Sequence, residues 1–369
     1  MTFLFPRKIS PCPSFPKRGY SGFHSPFSKG GSRGILASRP KWFRVARLIA
    51  LLPFTSIVSY ASAADVSVAK YVETVNGHSS RAHISADGRF VAFDSYATNL
   101  VAGDTSQTSR VLVHDRSTGA TKVVNATGGG APANANSVSA ALTEDGRYVA
   151  FASDATNLIP EDTNLFRDIF VRELRTGKTE RVSVHTNGAQ AVNGHSSHPS
   201  ISADGRYVAF ASEATNLVEG DTNGFTDIFV HDRVAGTTQR VNVATGGAQA
   251  VGAHSFYPSI SPEGRFVAFV SDAANLVPND TNNSWDIFVH DRQTQTTSRA
   301  SVAGGGAQAD AGSARPSISA DGRYVAFESG AANLVPDDTN GVVDVFVHDR
   351  GAKSTMRVSV VTDDNSKAP

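Results

Sequence analysis

Residues 199–243 read P-S-I-S-A-D-G-R-Y-V-A-F-A-S-E-A-T-N-L-V-E-G-D-T-N-G-F-T-D-I-F-V-H-D-R-V-A-G-T-T-Q-R-V-N-V, and this stretch decides the fold. Pro199–Ser202 reads as a short strand, and Asp204-Gly205 supplies the positive φ of a tight hairpin. Arg206–Ala211 reads as a second strand, apolar on both faces. A long connection leads to a third strand at Asp227–His231, and a turn after Asp232 leads to a fourth at Arg240–Val243. Four short hairpin-linked strands make one antiparallel sheet.

The same unit recurs. The Asp/Glu-Gly glycine stands at Gly88, Gly146, Gly205, Gly264 and Gly322, at intervals of 58 or 59 residues. The A-[TA]-N-L asparagines (Asn99, Asn157, Asn216, Asn275, Asn333) advance in the same step, as do the residues opening the third strand (Arg110, Asp168, Asp227, Asp286, Asp344). A sheet apolar on both faces must be covered on both, and five such sheets cover one another when arranged radially. The expectation is an all-β, five-bladed β-propeller of four-stranded antiparallel blades over residues 65–369. Six blades with one partial is the alternative. An open solenoid fits less well, since its units are shorter and its strands pair in parallel between coils. Val66-Ser67-Val68 and Val358-Ser359-Val360 both match the fourth-strand position, and either could pair with the last blade.

Residues 1–64 carry ten Lys or Arg and no Asp or Glu, whereas residues 65–369 carry 24 basic and 34 acidic side chains, a net of −10. An acidic body argues against nucleic acid as partner. Lys41, Arg44 and Arg47 precede the apolar run Leu48–Val58, and Ala61-Ser62-Ala63 follows it. That order marks residues 45–64 as a cleaved signal peptide, with an uncleaved anchor as the alternative. Residues 1–44 read as an unstructured leader, explained by a true start near Val45. The expected location is periplasmic or secreted, with no membrane span after cleavage. The only cysteine is Cys12, so the body forms neither a disulfide nor a thiolate metal site.

The segments I-S-A-D-G-R-Y-V-A-F (201–210) and D-I-F-V-H-D (227–232) resemble the TolB-type, WD-like propeller repeat of bacterial exported proteins. The resemblance spans 65–362 and implies the propeller fold. Its repeats are longer than that family's, and no counterpart of the α/β domain preceding the propeller in TolB is expected in residues 1–369, so TolB's partner is not carried over. Propellers of this kind serve as scaffolds, lyases and peptidase gates alike.

The sharpest chemical motif is D-T-N-x-x-x-D before the third strand: Asp162/Asn164/Asp168, Asp221/Asn223/Asp227, Asp280/Asn282/Asp286 and Asp338/Asn340/Asp344. Oxygen ligands at positions 1, 3 and 7 begin a Ca²⁺ loop, and G-D-T-N-G-F-T-D looks like the cation loop of integrin-type propellers. Position 5 is Phe166, Phe225, Ser284 or Val342, however, no bidentate Glu follows, and the first copy has Asp104, Ser106 and Arg110. The competing reading is a set of Asx-turns. His114, His231, His290 and His348 repeat blade to blade, as do Arg89, Arg147, Arg206, Arg265 and Arg323. A catalytic group acts once among partners that break symmetry, so these read as structural.

Groups that do break the repeat are Trp285, Tyr257, Phe256 and Phe166, with His198, Arg315 and Asp310 near first-strand entries. No G-x-S-x-G, H-E-x-x-H or H-x-x-E-H motif is present. Two functions follow as expectations. One is a monomeric scaffold binding a protein or envelope polymer; the other is a polysaccharide lyase or hydrolase with its site at the central mouth.

Overall fold

The computed structural model describes residues 74–104 and 106–361, all within one compact unit that begins at Lys70. The segments expected to be a leader (1–44) and a signal peptide (45–64), and Val66–Val68, lie outside the described residues. The described chain forms five four-stranded antiparallel sheets, each in sequence order. The first is β1(Ser79–Ile84), β2(Phe90–Ser95), β3(Arg110–Asp115) and β4(Ala120–Val123). The second is β5(Ser137–Leu142), β6(Tyr148–Ser153), β7(Asp168–Glu173) and β8(Thr179–Arg181). The third is β9(Ser196–Ile201), β10(Tyr207–Ser212), β11(Asp227–Asp232) and β12(Thr237–Arg240). The fourth is β13(Ser255–Ile260), β14(Phe266–Ser271), β15(Asp286–Asp291) and β16(Thr296–Arg299). The fifth is β17(Ser313–Ile318), β18(Tyr324–Ser329), β19(Asp344–Asp349) and β20(Ser354–Arg357). Among the described residues there is no α-helix, and none long and apolar enough to cross a membrane. The fold is a five-bladed β-propeller.

The middle strands show why the blades stack. Val208 and Phe210 on β10 join an apolar cluster shared with the second blade, while Ala209 and Ala211 join one shared with the fourth. Large side chains on one face meet small ones on the next blade, so the two faces interdigitate. In blades two to five, Phe of the second strand packs on Phe of the third with ring centroids 5.9 Å apart, stacked in blades two, four and five and tilted by 31° for Phe210 with Phe229. All eight of these rings are fully buried, each contributing about 2–3 kcal/mol of apolar transfer.

The turn glycines set the blade spacing. Gly205 has φ +74°, and a Cβ there would lie 2.5 Å from the Tyr148 ring; at Gly264 it would lie 2.1 Å from the Tyr207 ring. The aromatic after the Gly-Arg pair of each of the first four blades therefore seats on the next blade's glycine. The arginine between them pairs with the end of its own third strand, as in Arg206 with Asp232 at 3.0 and 2.7 Å.

The second and third strands, Tyr207–Ser212 and Asp227–Asp232, end one residue later than the sequence reading has them, and the first and fourth differ more. The fourth strand ends at Arg240, where Arg240–Val243 was expected to be strand. Beyond it a side chain replaces the ladder, because the Ile228 amide donates to Asn242 Oδ1 at 3.0 Å. The first strand begins earlier, at Ser196, and carries a bulge: its pairing with the second strand slips once in every blade, for instance between Ser80 and His83.

Candidate functional site

The bulge puts one residue per blade into the left-handed region: Arg81 (φ 52°), Ser139 (60°), His198 (52°), Tyr257 (52°) and Arg315 (51°). None is glycine, so each stores strain that the surrounding pairing must hold. All five line one cavity of about 520 Å³ that only the innermost strands reach. This is the central mouth of the propeller. The backbone device is the same five times over, while the side chains differ in charge, size and hydrogen-bonding capacity.

Second-strand carboxylates aim the two arginines. Arg81 Nη1 donates to Asp94 Oδ2 at 3.1 Å, and Arg315 Nη1 donates to Glu328 at 3.0 Å. The equivalent positions in the other blades are Ala152, Ala211 and Val270. Asp94 Oδ2 also accepts the Ser139 amide at 3.0 Å, which ties the first blade to the second. Burial holds Asp94 above the usual carboxylate range. The two arginine side chains remain 60% and 62% exposed, so their unused N–H groups face the opening.

His198 packs edge-on to Tyr257, ring centroids 4.5 Å apart, and its Nδ1 is 2.9 Å from Ser197 Oγ. Burial, with the charges of Arg81 and Arg167, pushes its pKa down to about 4. His198 is therefore neutral at pH 7 and offers hydrogen bonds, not charge. From Tyr257 a line of rings runs outward through Phe256 (6.3 Å) to Trp285 (5.8 Å) and to His254 (5.7 Å).

Of the residues that break the repeat in sequence, His198, Tyr257 and Arg315 are brought together here. Asp310 is not: its carboxylate accepts the Ala332 amide at 2.9 Å, the service Asn134 gives to Thr156 in the second blade. Trp285 packs partly buried against the core between the fourth and fifth blades. Arg81 and Ser139 were missed, although aligning S-S-R-A-H, S-V-S-A-A, S-S-H-P-S, S-F-Y-P-S and S-A-R-P-S places them in the same column as His198, Tyr257 and Arg315, a column with four residue types among five copies.

The Asp-Thr-Asn loops come together as ion networks. Asp221 and Asp227 both face Arg240 Nη1, at 3.1 and 3.2 Å, and Asn223 Nδ2 donates to Asp227 at 3.0 Å. Arg181 stands likewise between Asp162 and Asp168 (2.9 and 3.3 Å), Arg299 between Asp280 and Asp286 (3.0 and 3.3 Å), and Arg357 between Asp338 and Asp344 (2.8 and 3.4 Å). Asn164, Asn282 and Asn340 donate to Asp168, Asp286 and Asp344. In the first blade the carrier of charge has moved: Arg110 itself pairs with Asp104, and Val123 occupies the place of Arg240. Among the described residues no three His, Cys, Asp or Glu side chains gather as metal ligands.

We infer that a guanidinium fills the place a Ca²⁺ would take, so these residues do not fit that ion. Adding millimolar Ca²⁺ leaves the melting temperature unchanged; a rise that EDTA reverses would restore the metal.

The repeated histidines are packed into the blades. His231, His290 and His348 bond through Nδ1 to Thr238, Thr297 and Thr355 at 2.8–2.9 Å. Burial pushes His290 down to about 4 and also lowers His231 and His348. A histidine whose pKa falls on folding gives stability that is complete above its unfolded value near 6.5 and drains away as pH falls towards 4. The difference in stability between wild type and His290→Gln accordingly shrinks over that interval. Imidazole NMR shifts should show His198 and His290 still neutral at pH 5.5.

No family model matches the chain, and no curated protein matches it. Among solved structures it is similar to TolB from Acinetobacter baumannii, at 14% identity over 76% of this chain and 54% of that one, TM-score 0.44. It is also similar to oligogalacturonate lyase from Vibrio parahaemolyticus (15%, 73% and 65%, 0.42) and to the β-propeller domain of the Trilobed protease from Pyrococcus furiosus (12%, 78% and 72%, 0.45). The chain thus spans just over half of the Acinetobacter TolB structure.

Proposed function

We propose that this chain is an exported propeller that binds a protein or envelope polymer at its central mouth and acts as a scaffold. The observation that carries the reading is the ring of Arg81, Ser139, His198, Tyr257 and Arg315. Strained left-handed backbone at a shared position, with unlike side chains converging on one cavity, is how a repeat scaffold presents an asymmetric recognition surface. The acidic body and the signal-like leader support a partner in the periplasm or outside the cell.

The test is capture from envelope extract by the tagged protein, with Arg81→Ala/Tyr257→Ala as the paired variant. Wild type retains a partner that the variant loses by at least ~10-fold, the loss of about 1.4 kcal/mol or more expected of two interface anchors. Equal capture by both removes the mouth as the site. A second reading, a polysaccharide lyase or hydrolase, is favoured by the neutral His198 beside Tyr257, which could relay a proton. Turnover of an acidic polysaccharide, abolished by His198→Ala, would decide for it.

A further inference from the structure

The arginine just after the third strand reaches across to the preceding blade. Arg233 lies over Tyr148 at 4.5 Å, Arg292 over Tyr207 at 4.5 Å and Arg350 over Phe266 at 5.3 Å. Each also donates through Nη1 to the hairpin glycine carbonyl of its own blade, Gly205, Gly264 or Gly322. Between the first and second blades that residue is Leu174. Phe90 keeps Arg89 over it at 4.6 Å, and among the described residues no second guanidinium joins it. In the vacated place lies a cavity of about 800 Å³, lined by Phe90, Val113, Gly146 and Leu174. That size falls within the roughly 300–1,000 Å³ of small-molecule sites. The cavity shares no lining residue with the mouth.

The positive charge has moved from the centre of this interface to its rim. Lys122 stands where the next three interfaces have Glu180, Gln239 and Ser298, and Arg175 stands where they have Val234, Gln293 and Gly351. Both line the cavity. Lys122 pairs with no carboxylate among the described residues, and Arg175 acts on Glu173 only from beyond ion-pair distance. The carboxylates that share the lining are already engaged. Asp115 accepts from Arg89 at 3.0 and 2.8 Å, and Asp145 accepts from Thr143 Oγ1 and the Arg147 amide at 2.7 and 2.9 Å. Arg147 in turn donates to Glu173 at 2.7 Å. A guest guanidinium would repeat the contacts of Arg292, yet it would meet two cations that the filled interfaces lack. An apolar floor beneath a basic rim suits an anion instead.

We propose that this cavity is a binding site in its own right, for a small flat aromatic acid. The ring of the ligand lies on Phe90 and Leu174, and its carboxylate pairs with Lys122 and Arg175. The site arises because one blade interface has exchanged its central arginine for leucine and gained two cations at the edge. It stands whether or not the mouth binds a partner.

The experiment titrates the full chain calorimetrically with 2-naphthoate, 2-naphthamide and 2-naphthamidine, which share a ring system and differ in charge. The paired variant Lys122→Glu/Leu174→Arg rebuilds the Glu180–Arg233 couple of the next interface and so fills the cavity from within. Wild type binds the acid at least ~10-fold tighter than the amide or the amidine, as expected of one charge-assisted contact. The paired variant loses that binding by ~10-fold or more while melting no lower than wild type. Preference for the amidine overturns the proposal and makes the cavity a seat for a foreign guanidinium. Equal binding of all three probes, no heat from the acid, or undiminished binding by the paired variant overturns it as well. Should the paired variant fail to fold, Lys122→Gln, an exposed change to the residue type of Gln239, decides alone. It must weaken the acid and leave the amide unchanged; an unaltered acid overturns the proposal.

Discussion

Gly264→Ala lowers stability by about 2–4 kcal/mol, the sum of a left-handed backbone penalty and overpacking against the preceding blade. The glycine has φ +75°, and the new methyl would sit 2.1 Å from Cδ2 of Tyr207. That ring cannot swing aside, because Arg206 and Arg292 hold its two faces at 4.8 and 4.5 Å. Gly236→Ala is the control, with φ +68° and nothing within 4 Å of its Cβ, and it costs only about 1 kcal/mol. Urea midpoints with an unchanged slope measure both. Equal losses would mean that the ring-on-glycine seat does not set the blade spacing.

Asp227→Ala destabilises by about 1–3 kcal/mol, because Asn223 and Asn242 lose their buried acceptor, while Arg240 keeps Asp221 as its counter-charge. The carboxylate accepts from Arg240 at 3.2 Å, Asn223 at 3.0 Å and Asn242 at 2.5 Å, and it is fully buried. Its neighbour Asp221 is pushed up to about 6 by burial and by Asp227 itself, so the cluster tolerates its second negative charge only beside Arg240. The first blade suggests the rescue. Asp227→Arg with Arg240→Val recreates the Asp104, Arg110 and Val123 arrangement in the third blade and recovers more than half of the loss. Failure to recover, together with stabilisation of wild type by Ca²⁺, would make these loops a metal site.

Second and third strands were legible because hexapeptides such as Y-V-A-F-A-S and D-I-F-V-H-D are apolar on both faces, which only stacked sheets can satisfy. The fourth strand was displaced in the reading because V-N-V looks extended, yet Asn242 takes over the ladder with its side chain. The mouth was half legible. His198, Tyr257 and Arg315 stood out as irregular, but nothing local marks a left-handed bulge when Arg, Ser, His or Tyr occupies it. In the Asp-Thr-Asn loops the carboxylates were plain, while the arginine that answers them lies 13 residues beyond Asp227, on another strand.

Spin-label distances test most directly whether the five sheets surround one axis. With Cys12→Ser as background, one pair joins positions 81 and 198 and another joins 81 and 315. A radial arrangement predicts that the second separation, four repeats apart in sequence, is no greater than the first, two repeats apart. Sheets stacked in a line at ~10 Å each would instead give about 40 Å for the second pair, twice the first, and contradict the propeller.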